Sequence, residues 1–244
     1  MGLSTFIRVA LIRVAALFYF SKRSKVIFYH DIHASKKYTD MSTSIELFKK
    51  HIHIINKSGY EIVPEITKDN GQIEICFDDA FLGLYENIEF LKKQNIPIHL
   101  FVISSCLNRE NHINEKQLLE LNKLDIIKMS SHTNTHRILN QLDKNEIEKE
   151  LKESKKILEN LLGTPVYSIC YPEGKFNKKT IHIAKAVGYK KQYSSLPGFF
   201  VEKFENNVVR RSLVQFAQEK EFKAILRGGD NILVFWYKFK HFKR

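Results

Sequence analysis

At 244 residues the chain is long enough to bury the core of one large domain. A 43% hydrophobic share with 5 Pro and 10 Gly excludes a disordered or collagen-like chain. The formal net charge of +12 would suit a nucleic-acid binder, but it is concentrated at the two ends, and residues 26–230 carry only +3. Without a basic stripe in the centre, no nucleic-acid partner is expected.

Residues 1–25 contain Arg8, Arg13, Lys22, Arg23 and Lys25 and no acid. Positions 5–20 read as a helix of Ile, Leu, Val, Ala and Phe interrupted by two arginines. Such a helix rises about 24 Å, short of the roughly 30 Å hydrocarbon core. Each buried arginine would cost about 2.5–3.5 kcal/mol on insertion. A spanning helix is therefore disfavoured. A cleaved signal peptide fits poorly too, because Arg13 breaks the apolar run and no small-x-small site follows. Residues 1–24 are read as an amphipathic, membrane-associating helix.

From there strands and helices alternate. An apolar strand is expected at 26–32, then a helix carrying Ile45, Phe48, Ile52 and Ile55, opened by Thr43 or Ser44 and closed by Gly59. A short strand at 61–64 and a clear one at 72–79 follow, then a helix at 84–93 and a strand at 97–104. Next come a helix at 115–121, a strand at 125–131 and a long helix at 143–162, whose apolar face is Ile147, Leu151, Leu158 and Leu161. Strands at 167–172, 189–195 and 208–214 alternate with helices at 178–187 and 216–226. Six or seven strand–helix units predict an α/β fold with a largely parallel sheet closing into a barrel. Residues 25–230 are expected to form this single domain, and 231–244 a basic, aromatic tail of the composition that sits at anionic headgroups. Cys76, Cys106 and Cys170 are odd in number, lie in or beside apolar runs, and read as buried free thiols of a reducing compartment. A peripheral position on an inner membrane, at its cytoplasmic face, is the expected location.

Chemistry-bearing residues fall where strands end, the place active sites occupy in parallel α/β folds. Asp78 and Asp79 leave one strand, His132 and His136 another, and Tyr171, Pro172, Glu173 and Gly174 a third; His30 follows the first. One carboxylate and two imidazoles make an open three-ligand metal site, and a spare carboxylate can act as base. Adjacent strand residues point to opposite faces, so Asp79 is assigned to the metal and Asp78 to proton transfer. A turn of helix over 133–136 would bring both imidazoles to one ion.

Phe77-Asp78-Asp79, His132-Thr133-x-x-His136 and Tyr171-Pro172-x-Gly174 resemble the first three motifs of the polysaccharide deacetylases, carbohydrate esterase family 4, with its NodB-homology domain. Phe28-Tyr29-His30-Asp31-Ile32 is similar to the opening of that domain in its bacterial surface-polysaccharide branch. The resemblance implies a distorted (β/α) barrel of about seven strands and metal-dependent removal of an N- or O-acetyl group from a sugar. It implies Asp78 as base, Asp79, His132 and His136 as ligands of a divalent ion of the Zn²⁺ type, and a backbone N–H near Glu173 on the oxyanion. The expected substrate is an N-acetylated glycan or lipid-linked sugar beside an anionic membrane surface. A non-sugar amide or formamide, or a catalytically weak glycan-binding scaffold, stays open as the alternative.

The chain departs from the family pattern in four places. Ala80 replaces a glycine, a mild steric change, and Cys170 stands where an arginine often precedes the proline. Glu173 brings negative charge to the oxyanion side, and no leucine-x-histidine strand supplies a general acid. Arg211 is expected to orient Asp78 in place of the missing arginine. The acid is His30 or Asp78 itself after it has taken a proton.

Overall fold

The computed structural model describes residues 3–19, 22–205 and 208–242. In chain order these form α1 (Leu3–Ala15), β1 (Lys25–Tyr29), β2 (Asp31–His33), β3 (Ser42–Ser44), α2 (Ile45–Lys57), β4 (Glu61–Val63) and β5 (Gln72–Phe77). Then follow α3 (Leu82–Glu86), α4 (Ile88–Lys93), β6 (Ile98–Val102), α5 (Glu115–Asn122), β7 (Ile127–Ser131), α6 (Lys144–Leu162) and β8 (Ser168–Cys170). The chain continues through α7 (Lys178–Val187), β9 (Lys191–Tyr193), β10 (Arg211–Leu213), α8 (Glu219–Leu226) and α9 (Val234–His241).

Seven of the strands pair in parallel in the order β10-β1-β5-β6-β7-β8-β9, and β4 pairs in parallel alongside the first half of β5. The two outer strands then approach each other. Val209 N–H donates to Gln192 O (2.7 Å) and Ser194 N–H to Val209 O (2.9 Å), which nearly closes a distorted (β/α) barrel.

Alternation along each strand sorts the core into two compartments. Ile27, Tyr29, Ile73, Ile75, Phe77, Leu100 and Val102 pack outward under the helices. Val26, Phe28, Cys76, Phe101, Cys170, Tyr193 and Val209 fill the barrel interior. Both faces of β1, β5, β6 and β8 are buried, which accounts for their unbroken apolar runs. The interior also holds a polar layer, in which His99 Nδ1 meets Glu74 Oε1 at 2.7 Å and His99 Nε2 meets Ser130 Oγ at 2.6 Å. Glu74, Cys76 and Asp78 share one inward-facing series, so the strand itself aims Asp78 into the top of the barrel.

Helix ends follow local chemistry. Ser44 rather than Thr43 caps α2, accepting from Leu47 N–H, while Thr43 Oγ1 donates to Gln215 O. Asp143 and Glu146 form a capping box at the start of α6, and Gly163 ends it at φ 68°. Three expected elements are broken. The single helix at 84–93 is two short helices, because Asn87 turns its side-chain amide back to Gly83 O (2.8 Å) and Ile32 O (3.4 Å). The strand at 26–32 breaks at His30. The N-terminal helix tightens into a 3₁₀ turn at Ala16–Phe18.

Gly83 is required by a close approach, since a Cβ there would stand 2.5 Å from an Asp31 carboxylate oxygen and 2.3 Å from Ile32 O. Asp31 is buried beneath it, and neither carboxylate oxygen has a well-formed hydrogen bond among the described residues. Burial pushes its carboxyl up to about 7, against partial relief from the Ile32 and Leu84 amides. The folded pKa exceeds the unfolded value of about 3.9, so the folded state binds the extra proton between those pH values. The contribution of Asp31 to stability is therefore fullest below about pH 4 and declines as pH rises to about 7. Asp31→Asn is expected to raise the melting temperature at pH 8 and to leave it nearly unchanged at pH 4. Thermal melts at the two pH values check this.

Candidate active site

Asp78 lies 3% exposed at the top of the barrel interior. Arg211, from β10, grips it with both arms: Nη1–H donates to Oδ1 and Nη2–H to Oδ2, each at 2.7 Å. The guanidinium lies between the rings of Phe28 (4.3 Å) and Phe101 (5.2 Å), and its Nε–H donates to Ser194 O (3.0 Å). Burial alone would raise the Asp78 carboxyl, but the Arg211 charge and its paired hydrogen bonds hold it well below the usual carboxylate range. Asp78 is thus an ionised carboxylate in a water-poor site, fixed in orientation by a bidentate fork.

Asp79 turns the other way, and its neighbours are His132 and His136. Its Oδ1 stands 3.4 Å from His132 Nε2 and 3.6 Å from His136 Nε2, and the three atoms lie within 4.8 Å of one another. That oxygen is buried with no hydrogen-bond partner among the described residues. A buried carboxylate oxygen facing two imidazole nitrogens fits a divalent cation better than it fits an empty corner. His132 Nδ1–H donates to Cys170 O (2.8 Å), which fixes the tautomer and leaves the Nε2 lone pair toward Asp79. Burial lowers the His132 ring to about 4, so that lone pair is unprotonated near neutral pH.

The backbone here is strained. Asp79 and Ala80 both have positive φ, 70° and 59°. Ala80, read from sequence as a mild steric change, therefore carries a conformational cost that glycine would avoid. The expected helical turn over 133–136 does not form. Thr133 and His136 are left-handed, at φ 68° and 60°, and the loop between them is held from outside. Glu150 on α6 accepts from Asn134 N–H (3.2 Å) and Thr135 N–H (2.8 Å), while His136 N–H donates to Thr133 Oγ1 (3.1 Å). Glu150 was not foreseen, because on sequence it is one of several acids on an exposed-looking helix. Outer partners of this kind change metal affinity by about 10–100-fold when removed. Glu150→Ala is expected to weaken Zn²⁺ binding by that order, read by competition with a chromophoric chelator.

His30 stands half-buried at the end of β1, close enough to Asp78 for its charge to be felt there. Its Nδ1–H donates to Gln215 Oε1 at 2.6 Å, which leaves Nε2 as the ring atom that can hand a proton onward. Gln215 follows Leu213-Val214, so a glutamine sits where a leucine-x-histidine pattern would have its histidine. That reading was available in the sequence and was missed.

The third strand-end cluster is placed differently from expectation. The Tyr171 side chain faces away from the site: it is fully buried, its hydroxyl donates to Gln192 Oε1, and its ring stacks on Phe176 at 5.2 Å. Only its backbone belongs to the rim. Pro172 and Gly174 are buried in a tight turn, with Glu173 at φ 52°. Gly174 has φ 63°, and a Cβ there would meet Ser195 Oγ at 2.0 Å. The Glu173 carboxylate pairs with Lys175 Nζ at 2.5 Å, which offsets its charge at the oxyanion side. Cys76 and Cys170 are buried thiols raised by desolvation, whereas Cys106 is only partly buried, in a 3₁₀ turn.

The parallel (β/α) barrel thus carries paired carboxylates and two histidines at the carboxyl ends of its strands, where the active sites of such folds lie. The polysaccharide deacetylase family model matches residues 65–191, more than half of the chain, and the chain belongs to that family. A Bacillus subtilis protein, YxkH, named as a candidate polysaccharide deacetylase, is 27% identical over 184 residues. That alignment covers 71% of this chain and 64% of that protein, so the chain spans less than two thirds of its relative. Among solved structures, the Streptococcus pyogenes deacetylase PplD in complex with acetate superposes with a TM-score of 0.71 at 20% identity, covering 88% of this chain and 98% of that one. A Bacillus cereus polysaccharide deacetylase gives 0.72 at 24% identity, covering 85% of this chain and 70% of that one. These likenesses establish the fold.

Proposed function

We propose that the protein is a metal-dependent N-deacetylase of an amino sugar in a surface glycan, a lipopolysaccharide component or a lipid-linked precursor. The observation that carries this reading is the orphaned Asp79 Oδ1 facing His132 and His136, beside an ionised Asp78 locked by Arg211. A divalent ion held by Asp79, His132 and His136, for which the nitrogen-rich donor set favours Zn²⁺, would polarise the acetyl carbonyl and the attacking water.

The chain's own residues do the rest. Asp78 takes the proton of the attacking water, with Arg211 keeping the carboxylate ionised and pointed. The backbone N–H near Glu173, in the tight turn Pro172–Gly174 that follows β8, is assigned to the carbonyl oxygen on which negative charge would develop. Return of a proton to the departing nitrogen falls to His30, whose ring Gln215 orients; Asp78 remains the second donor. The C–N bond breaks, a C–O bond forms, and acetate and a free amine leave.

Acetate and amine release from N-acetylglucosamine oligomers tests the reading. Equimolar release of both supports it. Turnover of formamides or non-sugar amides alone, with no acetate from any N-acetylated glycan, would replace the substrate class, and metal binding without any turnover favours a scaffold. The two buried thiols suit a reducing compartment, in line with the cytoplasmic face of the membrane.

A further inference from the structure

Surface helices of a globular domain ordinarily present one apolar stripe to the core and a polar face to water. Helix α1 has two apolar stripes. Ile12 and Ala16 face inward and are buried against Gly229, where a Cβ would stand 2.1 Å from Ile12 O. On the opposite side Ile7, Leu11, Val14 and Phe18 follow at i, i+4, i+7 and i+11 and are 49–77% exposed. Helix α9 repeats the pattern. Tyr237 turns inward beside Arg8 and Ile12, while Phe235, Trp236 and Phe239 are 61–90% exposed. Both helices pack on the turn Gly229–Leu233, and they meet where Tyr237 approaches Arg8 and Ile12.

The two helices lead to the catalytic end of the barrel. Arg8 pairs with Glu221 (2.6 Å) in the first turn of α8, just after β10 has delivered Arg211 and Gln215 to the site. Beyond α9, Phe242 packs on Phe176 at 5.3 Å, and Phe176 stacks on the buried ring of Tyr171, the residue just before the Pro172–Gly174 turn. Leu213 and Phe216, flanking Gln215, are themselves exposed. The charge of the ends is partly consumed inside the protein: Lys25 is buried on Asp230 (2.8 Å), and Arg23 pairs with Glu202 (3.2 Å). Arg13 on α1 and Lys240 on α9 stand exposed next in sequence to the exposed Val14 and Phe239, and Lys22 is exposed near Gly59. Among the described residues no helix is long and apolar enough to cross a membrane.

We infer that α1 and α9 together form a bilayer-docking face for an anionic membrane, which holds the active-site mouth at the headgroup layer. Exposed aromatic and aliphatic side chains enter the interface, and the flanking cations meet anionic headgroups. An apolar surface of this extent rimmed by cations marks an interaction site rather than ordinary surface. Docked this way, the site reaches sugars anchored in or lying on the membrane. The inference rests on the deacetylase reading for its substrate, though not for the docking itself.

Trp236 is the chain's one tryptophan, so its fluorescence reports the face directly. With the full chain, emission is expected to shift to shorter wavelength on adding phosphatidylglycerol-containing vesicles, less with pure phosphatidylcholine, and less as salt is raised. The variant Leu11→Ser/Val14→Ser/Phe235→Ser/Phe239→Ser should partition into the anionic vesicles at least about tenfold less. Its acetate release from a soluble N-acetylated oligomer should match wild type, which shows that it folds. An unshifted Trp236 spectrum with unchanged sedimentation overturns the docking face. So does sedimentation equilibrium showing a dimer that the variant loses, since a second copy would then cover the surface. Vesicle binding without turnover of any N-acetylated glycan leaves the docking face standing and removes the deacetylase reading.

Discussion

Replacing Asp78 with asparagine is expected to lower acetate release by about 10²–10⁴-fold while Zn²⁺ affinity stays close to that of wild type. The two outcomes separate because the two aspartates leave the strand on opposite sides. Asp78 continues the inward series of Glu74 and Cys76 and touches Arg211, whereas Asp79 faces the histidines. Asparagine keeps the size and one acceptor oxygen but cannot take a proton from water. Steady-state rates and a chelator competition on the same preparation check both halves. Equal losses of metal affinity and rate would place Asp78 among the ligands.

Removing Arg211 should be the most damaging single change to stability. Arg211→Met leaves the Asp78 carboxylate 3% exposed and without its bidentate partner. Uncompensated buried charges of this kind cost about 3–5 kcal/mol. It also removes the cation packed between Phe28 and Phe101. The double variant Asp78→Asn/Arg211→Met should be more stable than Arg211→Met alone, because no bare charge is then left inside. Denaturant unfolding of wild type, both singles and the double closes the cycle. Additive costs would mean that the pair is not coupled.

Much of the barrel was legible in sequence because parallel strands buried on both faces leave continuous apolar runs, as at β5 and β6. Helix α6 was legible for a different reason: its apolar spacing, the Asp143 cap and Gly163 agree with one another. The boundary errors have local causes, such as Asn87 turning its amide onto Gly83 and ending α3 early. At the site, the alternation rule anticipated that Asp78 and Asp79 face different partners, Arg211 for one and the two histidines for the other. What sequence could not supply was the backbone between His132 and His136. A four-residue spacing suggested a helical turn, yet tertiary bonds from Glu150, more than a dozen positions away, hold left-handed residues there instead. The Leu213-Val214-Gln215 pattern was readable, but the pairing of Gln215 with His30 at the end of the adjacent strand was not. Lys25 counted as part of a basic end until its burial on Asp230 became visible. Long-range pairing, which no local pattern encodes, accounts for each of these.

The most direct test of the central claim is to strip the protein with chelator, then titrate Zn²⁺ while following acetate release from an N-acetylglucosamine oligomer. The account predicts no release from the stripped protein and full recovery at about one ion per chain, the stoichiometry of a single Asp-His-His site. Release that survives complete chelation, or one tightly bound ion per chain with no acetate from any N-acetylated glycan, would contradict it.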